Sequence, residues 1–174
     1  IGGNDTRSVA REMRQFDLSG YQAVLSVSPY YNRPTQEGIF RHFEYLSAAC
    51  PLPLILYNVP SRTGTNMEAG TTLRLAAQCP NIAGIKEASG DMDQVRRLLA
   101  ERPEGFLVIS GDDFNAAEVA LAGGDGVISV LAQALPGPFS GMIDLALEGR
   151  EKEAKEAFGA MHPLCDAIFR EGNP

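Results

Sequence analysis

The sequence predicts an α/β fold, specifically the later five strands of a (β/α)8 TIM barrel, each strand followed by its helix. Short apolar segments alternate with helical patterns at intervals of about 20 to 30 residues, which is typical of parallel strands joined by right-handed crossovers. A polar or glycine-rich loop follows each predicted strand, and no flexible linker interrupts the order. We therefore predict a single partial-barrel domain over residues 1–174. An open doubly wound sheet is the alternative, although no Gly-x-Gly-x-x-Gly motif follows a predicted strand.

The first half of the chain is predicted as helix, strand, helix, strand and loop. Val9, Met13 and Phe16 form an i, i+4, i+7 stripe that Asn4 or Asp5 can cap, so a helix is predicted over 6–18. A second apolar stripe begins at Thr35 and ends before Pro51. The remaining elements of this half are strands at 23–27 and 54–58 and a proline-stiffened loop at 59–64.

The same alternation continues through the second half of the chain. Apolar runs predict strands at 82–86, 106–110 and 126–130. Helical periodicity predicts helices at 68–78, 91–101, 114–122, 135–147 and 152–169. The run Ile82-Ala83-Gly84-Ile85 is continuously apolar, which indicates a strand that is buried on both faces.

Lys86 closes that buried strand and is the first candidate for chemistry. The carboxyl end of a parallel strand is where α/β proteins place their sites, and partial desolvation there lowers the pKa of an amine and makes it nucleophilic. The alternative is that Lys86 carries the chain out into water, as most lysines at strand ends do. The pattern at this one position leaves both interpretations open.

Two residues of the neighbouring segment strengthen the first interpretation. Tyr57 ends its predicted strand in register with Lys86, and a phenol near an amine can transfer protons in carbonyl chemistry. Arg62 lies on the proline-stiffened loop, where a guanidinium suits capture of a carboxylate. Tyr57 as a packing residue and Arg62 as a solvated loop residue remain alternatives. Asp112 and Asp113 could pair as acid and base, but helix capping explains them more simply.

Composition excludes several classes of function. The net charge is −7 and the 15 Lys and Arg residues are scattered, so a nucleic-acid surface is not expected. The sequence has no apolar run of about 18 residues that would span a membrane. Cys50, Cys79 and Cys165 are far apart and lack C-x-x-C spacing, so we interpret them as reduced packing residues of a cytosolic protein that binds no metal.

Four motifs resemble the dihydrodipicolinate synthase (4-hydroxy-tetrahydrodipicolinate synthase) family, within the pyruvate-dependent class I aldolases. They occur in the family's order and spacing over essentially the whole chain, and the Arg62 loop favours the synthase branch over N-acetylneuraminate lyase. The motifs are Ser28-Pro29-Tyr30-Tyr31-Asn32-Arg33-Pro34, Tyr57-Asn58-Val59-Pro60-Ser61-Arg62-Thr63-Gly64, Gly84-Ile85-Lys86-Glu87-Ala88-Ser89-Gly90 and Gly126-Val127-Ile128-Ser129-Val130.

The resemblance implies a lyase in which Lys86 forms a Schiff base with pyruvate. The derived enamine attacks L-aspartate 4-semialdehyde, and cyclisation gives 4-hydroxy-tetrahydrodipicolinate for lysine and diaminopimelate biosynthesis in the cytoplasm. Tyr57 would handle protons, and Tyr31 would reach into the neighbouring subunit's site in a homo-oligomer, a tight dimer or a tetramer. Arg62 would bind the semialdehyde carboxylate, and the backbone at Ile128 would help hold pyruvate. No metal or organic cofactor is implied.

The resemblance also carries three expectations about differences from the family. A Thr-Thr-Gly-Glu motif of an earlier strand is expected to precede this chain, which opens on Ile1 without Met. We therefore expect a fragment that is inactive and poorly stable alone. Asn4 and Tyr30 match positions of an allosteric lysine site, where Ser8 replaces an acidic residue of some members. A sister aldolase and a non-catalytic barrel relative remain the alternative functions.

Overall fold

The computed structural model describes residues 1–172, which divide into two compact units, residues 1–108 and the described residues from 109 onward. The first unit contains four long helices, one short helix and three complete strands. Its elements are α1 (Thr6–Gln15), β1 (Val24–Val27), α2 (Gln36–Ala49), β2 (Leu54–Asn58), α3 (Pro60–Thr63), α4 (Ala69–Gln78), β3 (Ile82–Glu87) and α5 (Met92–Glu101). That residues 1–174 form a single domain stays a prediction.

The three strands of the first unit pair in parallel in the order in which they occur along the chain. β2 pairs with β1, where Val27 lies opposite Tyr57. β2 also pairs with β3, where Tyr57 lies opposite Lys86. The β2–β3 register is irregular between Leu54 and Ile55, so the two ends of this pair are held in different registers.

The helices of the first unit cover the strands with a well-filled apolar core. Consecutive helices pack against one another, α1 on α2, α2 on α4 and α4 on α5. Among the fully buried side chains are Met13, Phe40, Phe43, Leu46, Leu56, Leu75 and Ile85. A side chain at Gly84 would place its Cβ 2.6 Å from the backbone oxygen of Leu107, so only glycine fits this position of β3.

The second unit consists of a short parallel strand pair and three helices. β4 (Leu107–Ser110) crosses the boundary between the units, and its Ile109 and Ser110 pair with β5 (Gly126–Val127). The helices are α6 (Ala116–Leu121), α7 (Pro136–Leu147) and α8 (Glu151–Phe169), with a 3₁₀ turn at Leu131–Gln133. These helices pack on one apolar cluster that includes Leu131, Phe139, Met142, Met161 and Cys165.

Most predicted elements agree with the structure to within two residues, but three predictions were wrong in extent or type. The first helix ends at Gln15, because the Asp17 carboxylate accepts a hydrogen bond from the Ser19 amide and so forms a turn in place of further helix. The predicted loop at 59–64 contains α3, which Gly64 ends at φ 77°. The predicted strand 126–130 ends at Val127, and the Asp113 carboxylate accepts hydrogen bonds from the Val130 and Leu131 amides where the 3₁₀ turn begins.

The structure also bears on the predictions that the chain has no membrane-spanning segment and that its cysteines are reduced packing residues. Within residues 1–172, no helix is long and apolar enough to cross a bilayer. Cys50, Cys79 and Cys165 are free and buried, as expected for packing residues. Burial raises the pKa of the Cys165 thiol to about 11, so this thiol stays protonated at neutral pH.

Candidate active site

Lys86 and Tyr57 lie side by side at the carboxyl ends of β3 and β2. The strand register places their Cα atoms opposite each other, and the Lys86 Nζ atom lies 4.3 Å from the centroid of the Tyr57 ring. Both side chains are half-buried, whereas their neighbours along each strand are buried. An ammonium group at this distance from an aromatic face is attracted by the ring, so the contact holds the lysine head group in place.

The electrostatic environment keeps the Tyr57 hydroxyl protonated. Burial raises the pKa of Tyr57, and the positive charge of Arg62 lowers it by a smaller amount. The phenol therefore remains a hydrogen-bond donor at neutral pH and can give up a proton only to a strong base or in a concerted step. These properties suit a group that passes a proton to and from a reacting carbonyl.

Arg62 lies on the short helix α3, directly after the strand that carries Tyr57. Pro60 occupies the first turn of this helix, where its fixed φ favours helical backbone, and Gly64 ends it in the left-handed conformation. Arg62 and Tyr57 line the same surface cavity of about 380 Å³, together with Ile1, Gly2, Leu25, Val27 and Val59. Tyr57 thus lies beside Lys86 in the strand pairing and shares a cavity with Arg62, while the roles of these three residues remain predictions.

Tyr31 occupies a strained position on the loop after β1. Its φ is 71°, a value that residues other than glycine seldom adopt, and its side chain is 88% exposed. Arg33 on the same loop also has a positive φ, of 47°. The structure therefore presents Tyr31 outward from its own unit, and its role toward another subunit remains a prediction.

The predicted lysine-site residues lie near each other at the surface of the first unit. The side-chain amide of Asn32 donates to the backbone oxygen of Asn4 at 3.3 Å, and its backbone amide donates to the Tyr30 oxygen at 2.8 Å. Asn4 and Tyr30 are both exposed. Ser8 is engaged locally, because its backbone amide donates to the Asp5 carboxylate at 2.8 Å. Asn32 links these positions and was not singled out from the sequence.

Ile128 lies in the second unit, just beyond the end of β5. Its amide donates to the Ser110 oxygen at 2.9 Å, so its carbonyl is the backbone group that a ligand could use. The following residues are held by Asp113, whose Oδ2 accepts from the Val130 amide at 3.1 Å and from the Leu131 amide at 2.8 Å. The helix-capping explanation for Asp112 and Asp113 was therefore wrong, because the N-cap of α6 is Asn115, and Asp113 instead holds a turn 17 residues along the chain.

Sequence reasoning missed a polar cluster next to Tyr57 and Lys86, in which Asn58 and Glu87 are buried. It comprises Asn58, Asn66, Glu87 and Gln94, and the Glu87 side chain is only 3% exposed. A carboxylate directly after an apolar strand is a weak signal that could have drawn attention to Glu87.

Comparison with known proteins identifies the class of protein. The sequence model of the dihydrodipicolinate synthetase family matches residues 1–174. The chain is 49% identical over 173 residues to 4-hydroxy-tetrahydrodipicolinate synthase of Porphyromonas gingivalis, which covers 99% of this chain and 58% of the relative. It is 50% identical over 174 residues to the enzyme of the same name from Flavobacterium psychrophilum, covering 100% of this chain and 59% of the relative.

Solved structures agree with this result. A monomeric dihydrodipicolinate synthase variant superposes with a TM-score of 0.94 at 38% identity. The chloride-inhibited enzyme of Acinetobacter baumannii in complex with pyruvate gives 0.93 at 41%, and the enzyme of Cyanidioschyzon merolae with lysine bound gives 0.94 at 37%. Each match covers 99% of this chain and 59% of the solved chain.

The chain belongs to the dihydrodipicolinate synthetase family. Its fold is that of the (β/α)8 barrel, of which residues 1–172 contain five strands, so the predicted fold class is confirmed. The chain spans somewhat less than three fifths of the length of the curated relatives named above. Both of these relatives bear the synthase name, and neither comparison supports the sister-aldolase alternative.

Proposed function

We propose that this chain carries the Schiff-base lysine of a 4-hydroxy-tetrahydrodipicolinate synthase, a lyase of the class I aldolase type. The enzyme would condense pyruvate with L-aspartate 4-semialdehyde in lysine and diaminopimelate biosynthesis. The observation that carries the proposal is the position of the Lys86 Nζ atom, 4.3 Å from the Tyr57 ring centroid at adjacent strand ends. A relative at 41% identity was solved in complex with pyruvate, which supports this choice of substrate.

The first step is formation of an imine on Lys86. The neutral amine attacks the keto carbon of pyruvate, and the carbonyl oxygen takes a proton as the nitrogen–carbon bond forms. Loss of water then leaves the imine, and Tyr57 is placed to supply the proton that this loss requires. Because burial raises its pKa, the Tyr57 hydroxyl carries that proton at neutral pH.

The second step forms the new carbon–carbon bond. Removal of a proton from the pyruvate methyl group gives an enamine, whose carbon attacks the aldehyde carbon of the semialdehyde while the aldehyde oxygen takes up a proton. The amino group of the semialdehyde then attacks the imine carbon, which closes the ring and releases Lys86 as the free amine. Arg62 shares a cavity with Tyr57, and we assign it to the semialdehyde carboxylate. The imine nitrogen serves as the electron sink, so the proposed reaction uses no metal or organic cofactor.

An assay with two types of aldehyde tests the proposal. The full-length protein should consume aspartate semialdehyde with pyruvate and should not accept sugar-like aldehydes, because the Arg62 guanidinium suits a short carboxylate-bearing acceptor. Lys86→Ala should abolish turnover. Preference for a sugar-like aldehyde would overturn the assignment in favour of a sister aldolase, and full activity of Lys86→Ala would indicate a different mechanism.

We also propose that Tyr31 acts in a neighbouring subunit of a homodimer, alone or within a tetramer. Tyr31 is 88% exposed and has a positive φ. An exposed aromatic residue on strained backbone is typical of a residue with a function outside its own unit. Mixing Lys86→Ala protomers with Tyr31→Ala protomers tests this, because a hybrid dimer would contain one site with both residues. Activity should reappear on mixing, and hybrid dimers without activity would overturn the assignment.

The lysine site and the cellular location are further parts of the proposal. Asn4 and Tyr30 are joined through Asn32 in an exposed patch, and a relative at 37% identity was solved with lysine bound. We propose that lysine binds this patch, which titration calorimetry with an Asn4→Ala variant tests.

The three free cysteines suit a reducing compartment, so we place the enzyme in the cytoplasm, which cell fractionation tests.

A further inference from the structure

A hydrogen-bond cluster with a buried centre joins the two strands that carry Tyr57 and Lys86, on the face opposite to these two side chains. Asn58 follows Tyr57, Glu87 follows Lys86, and these two residues also lie opposite each other in the strand register. Because side chains alternate along a strand, Tyr57 and Lys86 share one face and Asn58 and Glu87 share the other. Asn58 is 0% exposed and Glu87 is 3% exposed.

Amide groups saturate the Glu87 carboxylate. The Asn58 Nδ2 atom lies 3.1 Å from Oε1 and 3.0 Å from Oε2. The Ser89 backbone amide donates to Oε1 at 2.7 Å, and the Gln94 Nε2 atom donates to Oε2 at 2.8 Å. The carboxylate is thus bound from the neighbouring strand, from the turn after its own strand and from helix α5.

Asn58 and Gln94 extend the cluster to the segment before α4. The Asn58 Oδ1 atom accepts from the Met67 amide at 2.9 Å, and its Nδ2 donates to Asn66 Oδ1 at 2.7 Å. The Asn66 Nδ2 atom donates to Gln94 Oε1 at 3.0 Å. Each amide is therefore fixed in one orientation by what it donates to and accepts from, which makes the cluster geometrically specific.

Such a fixed contact matters because the pairing of β2 and β3 is irregular near the amino-terminal ends of these strands. The register of β2 and β3 shifts between Leu54 and Ile55, so the amino-terminal ends of the strands do not dictate the pairing beyond. A slip of one residue would turn Lys86 away from Tyr57, since successive side chains point to opposite faces. The Asn58–Glu87 contact fixes the register at the position immediately after the Tyr57–Lys86 pair.

We propose that Glu87 is a positioning residue, which holds the Lys86 amine against Tyr57 through the Asn58–Glu87–Gln94 cluster. The inference rests on the proposed Schiff-base function. It predicts that disturbing the cluster slows imine formation on each folded molecule, because a displacement of about 1 Å at a reacting group can cost about a hundredfold in rate.

The test measures a rate constant and an end point separately. Full-length protein is mixed with saturating pyruvate, quenched with borohydride at successive times, and weighed by mass spectrometry. The first-order rate constant reports the positioning of the amine in folded molecules, while the final adduct per chain reports the folded fraction. Glu87→Gln should lower the rate constant by about tenfold or more and leave the end point at one adduct per chain.

Two variants sharpen the experiment. In Glu87→Gln, an amide N–H group replaces one acceptor and faces the amide donors of Asn58 and Gln94. Adding Asn58→Asp restores a donor–acceptor pair between the strands, because the new carboxylate can accept from the amide that Glu87→Gln introduces. The side-chain amides of Gln94 and Asn66 can flip to match. The double variant should therefore recover most of the rate constant of imine formation. Glu104→Gln neutralises an exposed glutamate of the same unit and should leave the rate unchanged.

The outcomes separate this inference from the function on which it rests. If the wild-type protein forms no adduct, the proposed function itself is contradicted. If the wild type reacts, a Glu87→Gln rate constant equal to that of the wild type overturns the positioning role, as does a lower end point with an unchanged rate constant. If Glu87→Gln does not fold, Gln94→Met removes one donor from Oε2 and should lower the rate constant less, with the end point preserved.

Discussion

The Lys86 Nζ atom lies 4.3 Å from the centroid of the Tyr57 ring, and the two residues are directly opposite each other in the pairing of β2 and β3. This relationship combines a nucleophile with a proton donor on the half-buried face of a rigid sheet. Strand pairing, rather than a flexible loop, sets the distance between them. The catalytic proposal therefore depends on the register of two strands.

Tyr57→Phe separates the role of the ring from that of the hydroxyl group. The ring contact with Lys86 is retained, but proton transfer is lost, so turnover with pyruvate and semialdehyde should fall by about a hundredfold or more. Steady-state kinetics measure this fall, and thermal unfolding should remain near the wild-type value. Tyr45→Phe, at an exposed tyrosine of α2, is a matched control. Unchanged turnover in Tyr57→Phe would remove Tyr57 from the mechanism.

Arg62→Ala should affect the second substrate and not the first. Loss of a bidentate guanidinium–carboxylate contact should raise the KM for aspartate semialdehyde by about tenfold to a hundredfold. The rate of borohydride trapping with pyruvate alone should be unchanged, because that step does not use Arg62. Arg62→Lys should recover only part of the loss, since an ammonium group cannot form the paired contact. Equal effects on both substrates would contradict this assignment.

His42 should make folding stability depend on pH. Burial lowers the pKa of His42 to about 4, and its Nδ1 atom lies 2.7 Å from the Thr6 hydroxyl oxygen. An unfolded chain binds the proton below its ordinary pKa of about 6.5, whereas the folded chain does not until about pH 4. Stability should therefore fall by roughly 3 kcal/mol as the pH drops between these values.

Urea unfolding at several pH values measures this dependence. His42→Leu cannot bind a proton and should flatten the curve between pH 6.5 and pH 4 relative to the wild type. An unchanged slope in His42→Leu would assign the pH dependence to other groups.

Asp113→Ala should destabilise the turn that follows Ile128. Its Oδ2 atom accepts from the amides of Val130 and Leu131, and the variant leaves these groups without their acceptor. The expected cost is about 1–3 kcal/mol in the free energy of unfolding. Chemical denaturation measures it, with Asp144→Ala on the exposed side of α7 as the control. A cost no larger than that of the control would show that the carboxylate does not stabilise the turn.

The sequence allowed prediction of the features that depend on local patterns. The continuous apolar run before Lys86 and the strand that ends at Tyr57 predicted two parallel neighbours, and this placed both side chains at one edge. Apolar periodicity likewise predicted the helices other than α3, with three residues too many at the end of α1, where the Asp17 turn competes with the helix.

The features that were missed depend on contacts between distant residues. Asp113 binds amides 17 and 18 positions along the chain, and this contact ends β5 early. Glu87 meets Asn58 across 29 positions, so its burial follows from strand register and not from its own neighbours. The helix at Pro60 was hidden by its shortness, because four residues are too few to show a period.

The most direct measurement for the central claim is to locate the pyruvate adduct on the chain. The full-length protein is incubated with pyruvate, reduced with borohydride, digested and sequenced by tandem mass spectrometry, with Lys86→Ala treated in parallel. The account predicts one reduced pyruvyl group, on Lys86 alone, and no adduct in the variant. An adduct on Lys152 or Lys155, or an unmodified Lys86 after complete reaction, would contradict it.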